Sequence, residues 1–461
     1  MKKTYLKHFY GGSNQQKLCM FSKKAKVTCL VATFCAFAVW TYIFAGVSFP
    51  FIHKDRLQNQ EDFLLKCIQG KSFKQKCPRD NPTTHNPTNL NNHVCPSYFR
   101  WIHEDLKPWR EKGITRNMLK KAKKTAHFKL VIVDGKMYVE KYRKSIQTRD
   151  VFTLWGILQL LRLYPGKLPD LELMFDCEDK PVVPLDKFQG PNASPPPLFR
   201  YCSDQWSLDI VFPDWSFWGW AETNIKPWNN ILKDIKEGNK KTKWKDRVPY
   251  AYWKGNPYVA PTRQNLLQCN VTLENDWNTL IYIQDWIQES NQGFNKSNLG
   301  DQCTHRGMVP LQHYWPIRNN SKCTSLKFAV EWGNNHTHKA QSIGEAGSKF
   351  IQEDLDMKNV YNYMFHLLNE YAKLLKFKPT IPRGAVEICP EKLMACDVIG
   401  GNKMRFMEES MVKVPSDSNP CTIPPPYEPL ALEEFLGRKA NSVMQVEIWE
   451  DEYWQSKNKG Q

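Results

Sequence analysis

An α/β fold behind a membrane anchor is predicted by three features of this sequence. Apolar strand-like runs at Leu171–Phe175, Leu208–Phe212, Tyr250–Trp253 and Leu280–Ile283 alternate with helical segments, as in α/β layering on a largely parallel sheet. An uncharged run, Val27–Ile52, follows a basic leader. Beyond it lie eleven of the 14 cysteines, widely spaced and without a Cys-x-x-Cys pair, a usage that fits disulfides in an oxidising compartment rather than a zinc module.

The run Val27–Ile52 would span about 39 Å as a helix, more than the roughly 30 Å of a bilayer core. Lys2, Lys3, Lys7, Lys17, Lys23, Lys24 and Lys26 precede it with no acidic residue. Residues 1–26 are therefore read as a cytosolic tail, 27–52 as a signal anchor and the remainder as luminal, a single-pass type II protein of the Golgi or endoplasmic reticulum membrane. A cleaved signal peptide cut near Ala45–Ser48 is the other reading. Net charge is +17 and the tail supplies seven of it, so the luminal part keeps an excess of about ten positives. Topology argues against nucleic acid as its partner and for anionic sugar nucleotides, acidic glycans or membrane headgroups. Five sequons, at Asn192, Asn270, Asn295, Asn319 and Asn335, fit a luminal glycoprotein, with Pro195 weakening the first. The odd cysteine count leaves one thiol without a partner.

Residues 53–94, polar and turn-rich through Asn81–Asn89, read as a stem. Order begins near Cys95: Tyr98, Ile102 and Leu106 recur at a helical spacing, a Lys-rich helix follows around Asn117–Ala126, and Lys129–Arg143 alternates about Asp134-Gly135, a two-residue hairpin signal. A helix with Phe152, Leu154, Trp155, Leu158 and Leu161 precedes the Pro165-Gly166 break. Val360, Met364, Leu367, Tyr371 and Leu374 form the stripe of an amphipathic core helix. The chain divides into units at 95–245, 246–376 and 377–461, the last an extension packing back on the others.

Strand Leu171–Phe175 runs into Asp176-Cys177-Glu178-Asp179. Ligands of open α/β sheets sit beyond the carboxyl ends of strands, so these carboxylates are candidates for a general base; a solvated acidic turn is the alternative. Strand Tyr250–Trp253 leads through Lys254 and Gly255 to a helix opening at Thr262, read as its N-cap, with Arg263 beside it. Two cations and a helix end there would hold a diphosphate, and an ordinary capped helix is the alternative. Asp354-Leu355-Asp356 precedes a helix, so Asp356 reads as a cap rather than a metal ligand. Metal and cofactor are expected to be absent.

Four segments, Leu173–Pro181, Phe212–Trp220, Tyr252–Pro257 and Gly344–Ile351, closely resemble the plant branch of the Rumi-like protein O-glucosyltransferases, glycosyltransferase family 90, along about Cys95–Trp454. The resemblance implies a GT-B-like pair of Rossmann-like domains with a central cleft. It also implies metal-independent, inverting transfer from a UDP-sugar, glucose or xylose, to a protein or polysaccharide hydroxyl. Asp179 then matches the catalytic base, Lys254, Gly255 and Arg263 the donor-binding loop, and Trp215 and Trp218 the segment bordering the acceptor cleft.

One departure stands out. The family carries several tens of residues of donor-binding strand-helix-strand after the equivalent of Cys303–Arg306, whereas here Arg306 is followed directly by Gly307-Met308-Val309-Pro310. The second domain is thus expected to be incomplete. The chain is either a glycosyltransferase, with this form weakened or inactive, or a non-catalytic luminal protein that binds acceptor or pairs with full-length copies.

Overall fold

The computed structural model describes Cys77 and residues 84–89, 93–292, 307–394 and 401–459. The predicted tail and span, and most of the stem, lie outside these residues; among those described, no helix is long and apolar enough to cross a membrane.

Asp134 and Gly135 have φ of 51° and 70°, the left-handed pair that a tight hairpin needs. They join β1 (Phe128–Val133) to β2 (Lys136–Lys141), and so short a connection forces the strands antiparallel. β1 also pairs antiparallel with β3 (Leu171–Phe175), Phe128 opposite Phe175. β3 continues in parallel to β4 (Leu198–Arg200) and β5 (Ile210–Val211). β8 (Val386–Ile388) completes the sheet on β2, giving the order β5-β4-β3-β1-β2-β8. The sheet is therefore mixed, with its parallel part confined to one end, and the expectation of a largely parallel sheet is corrected.

Helix α1 (Arg149–Leu163) is buried almost all round. Its Gly156 is where the indole of Trp218 approaches; a Cβ there would lie 2.5 Å from the ring. Helix α5 (Met357–Leu374) starts at the predicted cap, where Asp356 accepts the Asn359 N–H at 2.7 Å. It lays Val360, Met364, Leu367 and Tyr371 into the same core, and the Tyr371 hydroxyl donates to the Glu172 carbonyl at 3.1 Å. That helix, β8 and the disulfides Cys77–Cys389 and Cys95–Cys421 tie the later segments to the first sheet.

The second sheet is small. β6 (Ala251–Gly255) and β7 (Thr279–Ile283) pair in parallel, and among the described residues no third strand joins them. Tyr252 and Tyr282 meet at a 35° tilt with centroids 5.1 Å apart and stay 65% and 48% exposed. α2 (Trp228–Lys241) sets Trp228 against Phe217, α3 (Lys322–Asn335) reaches the turn before β7 through Lys327, whose Nζ donates to the Asp276 carbonyl at 2.8 Å, and α4 (Thr337–Lys349) follows α3. The disulfide Cys269–Cys323 fastens α3. The terminal helix α6 (Pro429–Lys459) packs Trp449 on Trp315 and Trp332 and meets Arg318 through Asp451.

The Gly156–Trp218 contact generates a prediction. Gly156→Ala should destabilise the protein by about 1–3 kcal/mol through overpacking. Gly238→Ala in exposed α2, where no atom lies within 4 Å of the new Cβ, should be neutral or stabilising by up to about 1 kcal/mol. Denaturant unfolding of the two variants checks the contrast.

Candidate active site

At the carboxyl end of β3 the acidic residues separate into distinct roles. Asp176 is buried; Arg200 Nη1 lies 3.2 Å from its Oδ2, and its Oδ1 accepts the Glu178 N–H at 3.0 Å. It holds the turn in shape. His127 sits against the same turn: its Nδ1 lies 3.1 Å from the Cys177 N and 3.2 Å from Asp176 Oδ1, and its Nε2 faces Glu178 at 3.7 Å.

Asp179 is different: its side chain is 63% exposed yet gripped from behind. Arg149, the first residue of α1, presents Nη1 and Nη2 at 2.5 and 3.0 Å to the two carboxylate oxygens, a fork geometry. Its Nη1 also donates to the Cys177 carbonyl at 3.2 Å. The guanidinium lies 4.4 Å from the Trp215 ring centroid and 6.0 Å from that of Trp220. A cation at a helix amino end is opposed by the helix dipole, so the carboxylate and the two indole faces are what stabilise it there.

Neither predicted acceptor-cleft tryptophan opens to solvent. Trp215 is the floor beneath Arg149, and Trp218 is core, its Nε1 donating to the Tyr361 hydroxyl at 2.9 Å. Both are corrected from cleft-lining to supporting residues, because indoles flanking so densely packed a helix bury more area than a cleft wall would. Trp220 is the partly exposed ring, its Nε1 donating to Gln147 at 2.7 Å. Sequence reasoning missed Arg149 and Trp220. The available signal was an arginine at the first position of a long apolar helix, where a cation needs a partner.

The residues expected on the donor side are only partly assembled. Lys254 on β6 is already paired, its Nζ 2.8 Å from Glu289. Gly255 ends the strand and its carbonyl accepts the Gln284 N–H at 2.8 Å. The predicted Thr262 cap does not form: the helical turn Pro261–Gln264 opens at Pro261 after extended Ala260, without a side-chain cap. Proline at the first position removes the need for one. The capping hydrogen bond of this loop comes earlier, where Asn256 accepts the Tyr258 N–H at 2.9 Å. Arg263 is exposed. Four residues of helix offer little dipole, so anion binding would rest on Arg263 and on Lys254 released from Glu289.

Of the sequons, Asn192, Asn319 and Asn335 are exposed, while the Asn270 side-chain Oδ1 accepts the Ile281 N–H at 2.9 Å. Asn295 lies outside the described residues.

Two described cysteines are free, Cys177 and Cys202, rather than the single one that the count suggested. Cys202 Sγ contacts the Asp179 carbonyl, and burial pushes its thiol up to about 11. Burial also raises the Cys177 thiol, deep in the core. Both thiols are therefore expected to react slowly at neutral pH, since the thiolate is the nucleophile. Iodoacetamide should label Cys202 slowly at neutral pH and about tenfold faster per pH unit towards 11, with Cys177 labelled only on unfolding; peptide mass spectrometry reads both.

A sequence model described as Glycosyl transferase family 90 matches residues 90–308 and 305–450, two pieces that meet at the Arg306 junction. Human Protein O-glucosyltransferase 1 is 24% identical over 388 aligned positions, covering 72% of this chain and 95% of that protein. Since 72% of 461 residues is well short of 388, several tens of those positions have no counterpart here. The Bos taurus protein of the same name is 25% identical over 65% of this chain and 86% of its own, and O-glucosyltransferase rumi of Drosophila melanogaster is 21% identical over 65% and 82%.

Proposed function

Because the chain belongs to glycosyl transferase family 90, and is thus a glycosyltransferase, we propose that it moves glucose from a UDP donor to a hydroxyl of a protein or polysaccharide, with Asp179 as the base. The names of its relatives favour glucose over xylose. In this reading two Rossmann-like halves face each other across a cleft in a GT-B arrangement, and transfer inverts the anomeric carbon.

The observation that carries the proposal is the Arg149–Asp179 fork. An inverting transfer needs a carboxylate that takes the acceptor proton as UDP departs. Arg149 occupies two of about four lone-pair sites on Asp179, and the rest face solvent where a hydroxyl can approach. Lys254 and Arg263 would meet the charge of the departing diphosphate, with no metal or cofactor invoked.

A donor-side deficit is part of the same proposal. The divided family match, the unmatched alignment positions and the two-stranded second sheet support a gap after Arg306. The Lys254–Glu289 pair favours a second reading, a non-catalytic form that binds acceptor or pairs with full-length copies.

In a chain with the family segment restored after Arg306, Asp179→Asn should lower kcat by about 10² to 10⁴ with UDP affinity altered by less than about threefold. The 461-residue chain should show little turnover and UDP binding weaker by orders of magnitude. An unchanged kcat would remove Asp179 from the role, and robust turnover by the short chain would remove the deficit.

We also place the protein in the endomembrane lumen, anchored by Val27–Ile52 with the lysine-rich end cytosolic. Protease added to sealed microsomes should leave the chain beyond about His53 intact and glycosylated. Digestion of the bulk of the chain from outside contradicts that orientation.

A further inference from the structure

Between Lys236 and Arg247 the sequence places six cations against two carboxylates. The structure leaves residues 236–249 exposed without a break. Helix α2 turns its apolar residues inward, burying Trp228 and Leu232, and presents its polar face to solvent. Among the described residues Lys240, Lys241, Lys243 and Lys245 form no ion pair, whereas Asp234, the carboxylate just upstream, is held by Lys226 at 3.0 Å. Trp244 stands in the middle of these lysines, 38% exposed.

The backbone that displays them is held at both ends. Asn239 donates to Ser348 on α4 at 3.2 Å and accepts from Arg247 at 3.2 Å. Asn334 on α3 donates to the Pro249 carbonyl at 3.5 Å.

We propose that Lys240–Arg247 is a docking surface for a linear acidic polysaccharide, distinct from the Asp179 site. Closely set lysines attract a chain of carboxylates without demanding bidentate geometry, and an indole between them offers a face for a sugar ring. A bilayer fits less well, because the apolar stripe that an interfacial helix would insert is already spent on the core of α2. An acidic peptide would use the charges and leave the indole idle. The proposal goes beyond the transferase reading and is tested by binding alone.

The test uses the full chain in detergent, with immobilised polygalacturonate as the probe at low salt. Retention is expected, with dextran not retaining it. Lys241→Glu, Lys243→Glu and Lys245→Glu together should weaken binding by more than about tenfold and flatten its salt dependence, as expected when charge contacts are lost. Lys→Gln at the same positions is the milder variant, with a several-fold loss. The matched reversal Lys120→Glu, Lys121→Glu and Lys124→Glu, elsewhere on the exposed surface, should change binding by less than about twofold. Trp244→Ala should weaken polygalacturonate binding several-fold and leave poly-glutamate binding unchanged. Equal losses from both reversals, or no loss from the first, overturns the surface. Phosphatidylserine vesicles or poly-glutamate binding it as tightly as polygalacturonate, with Trp244→Ala indifferent, overturns the saccharide.

Discussion

A guanidinium buried at the amino end of α1 is the constraint on which the site depends. An unpaired buried cation costs several kcal/mol, and at a helix amino end the dipole adds to that cost. Arg149 is stabilised there by Asp179, the Cys177 carbonyl and the Trp215 face. Asp179 is therefore positioned by folding: the charge that the core must neutralise is also the clamp that orients the carboxylate. The clamp is registered in turn by α1, whose Gly156 admits Trp218 and so fixes how the helix seats on the turn carrying Trp215.

The donor side has no comparable device. Lys254 is matched by Glu289, Arg263 stands in solvent, and the helical turn between them is too short to act as a dipole. Parallel sheets are normally covered on both faces, yet β6 and β7 leave Tyr252 and Tyr282 open. On the proposed reading, with Asp179 as base and Lys254 and Arg263 meeting the diphosphate, the first half is well built and the second sparse, which fits the proposed gap after Arg306.

Local chemistry made much of this legible in the sequence. Asp134-Gly135, the Val360–Leu374 stripe and the Asp356 cap each follow from interactions within a few residues, and all three appear in the structure. The carboxyl end of β3 was legible too, though not which of its carboxylates is structural, because that depends on Arg200 and Arg149 arriving from distant segments. β8 is three residues long and made by its pairing with β2, so no periodicity could announce it. Thr262 failed as a cap because Pro261 had already opened the turn. The resemblance sets Trp215 and Trp218 in a segment bordering an acceptor cleft, but both are buried, and burial is a tertiary property.

The most direct test of the clamp is a kinetic double-mutant cycle on the restored chain, comparing Arg149→Met, Asp179→Asn and the double variant. If Arg149 acts by positioning Asp179, the two losses in kcat are strongly non-additive and the double variant is no slower than Asp179→Asn alone. Losses that multiply would show two independent contributions and contradict the account.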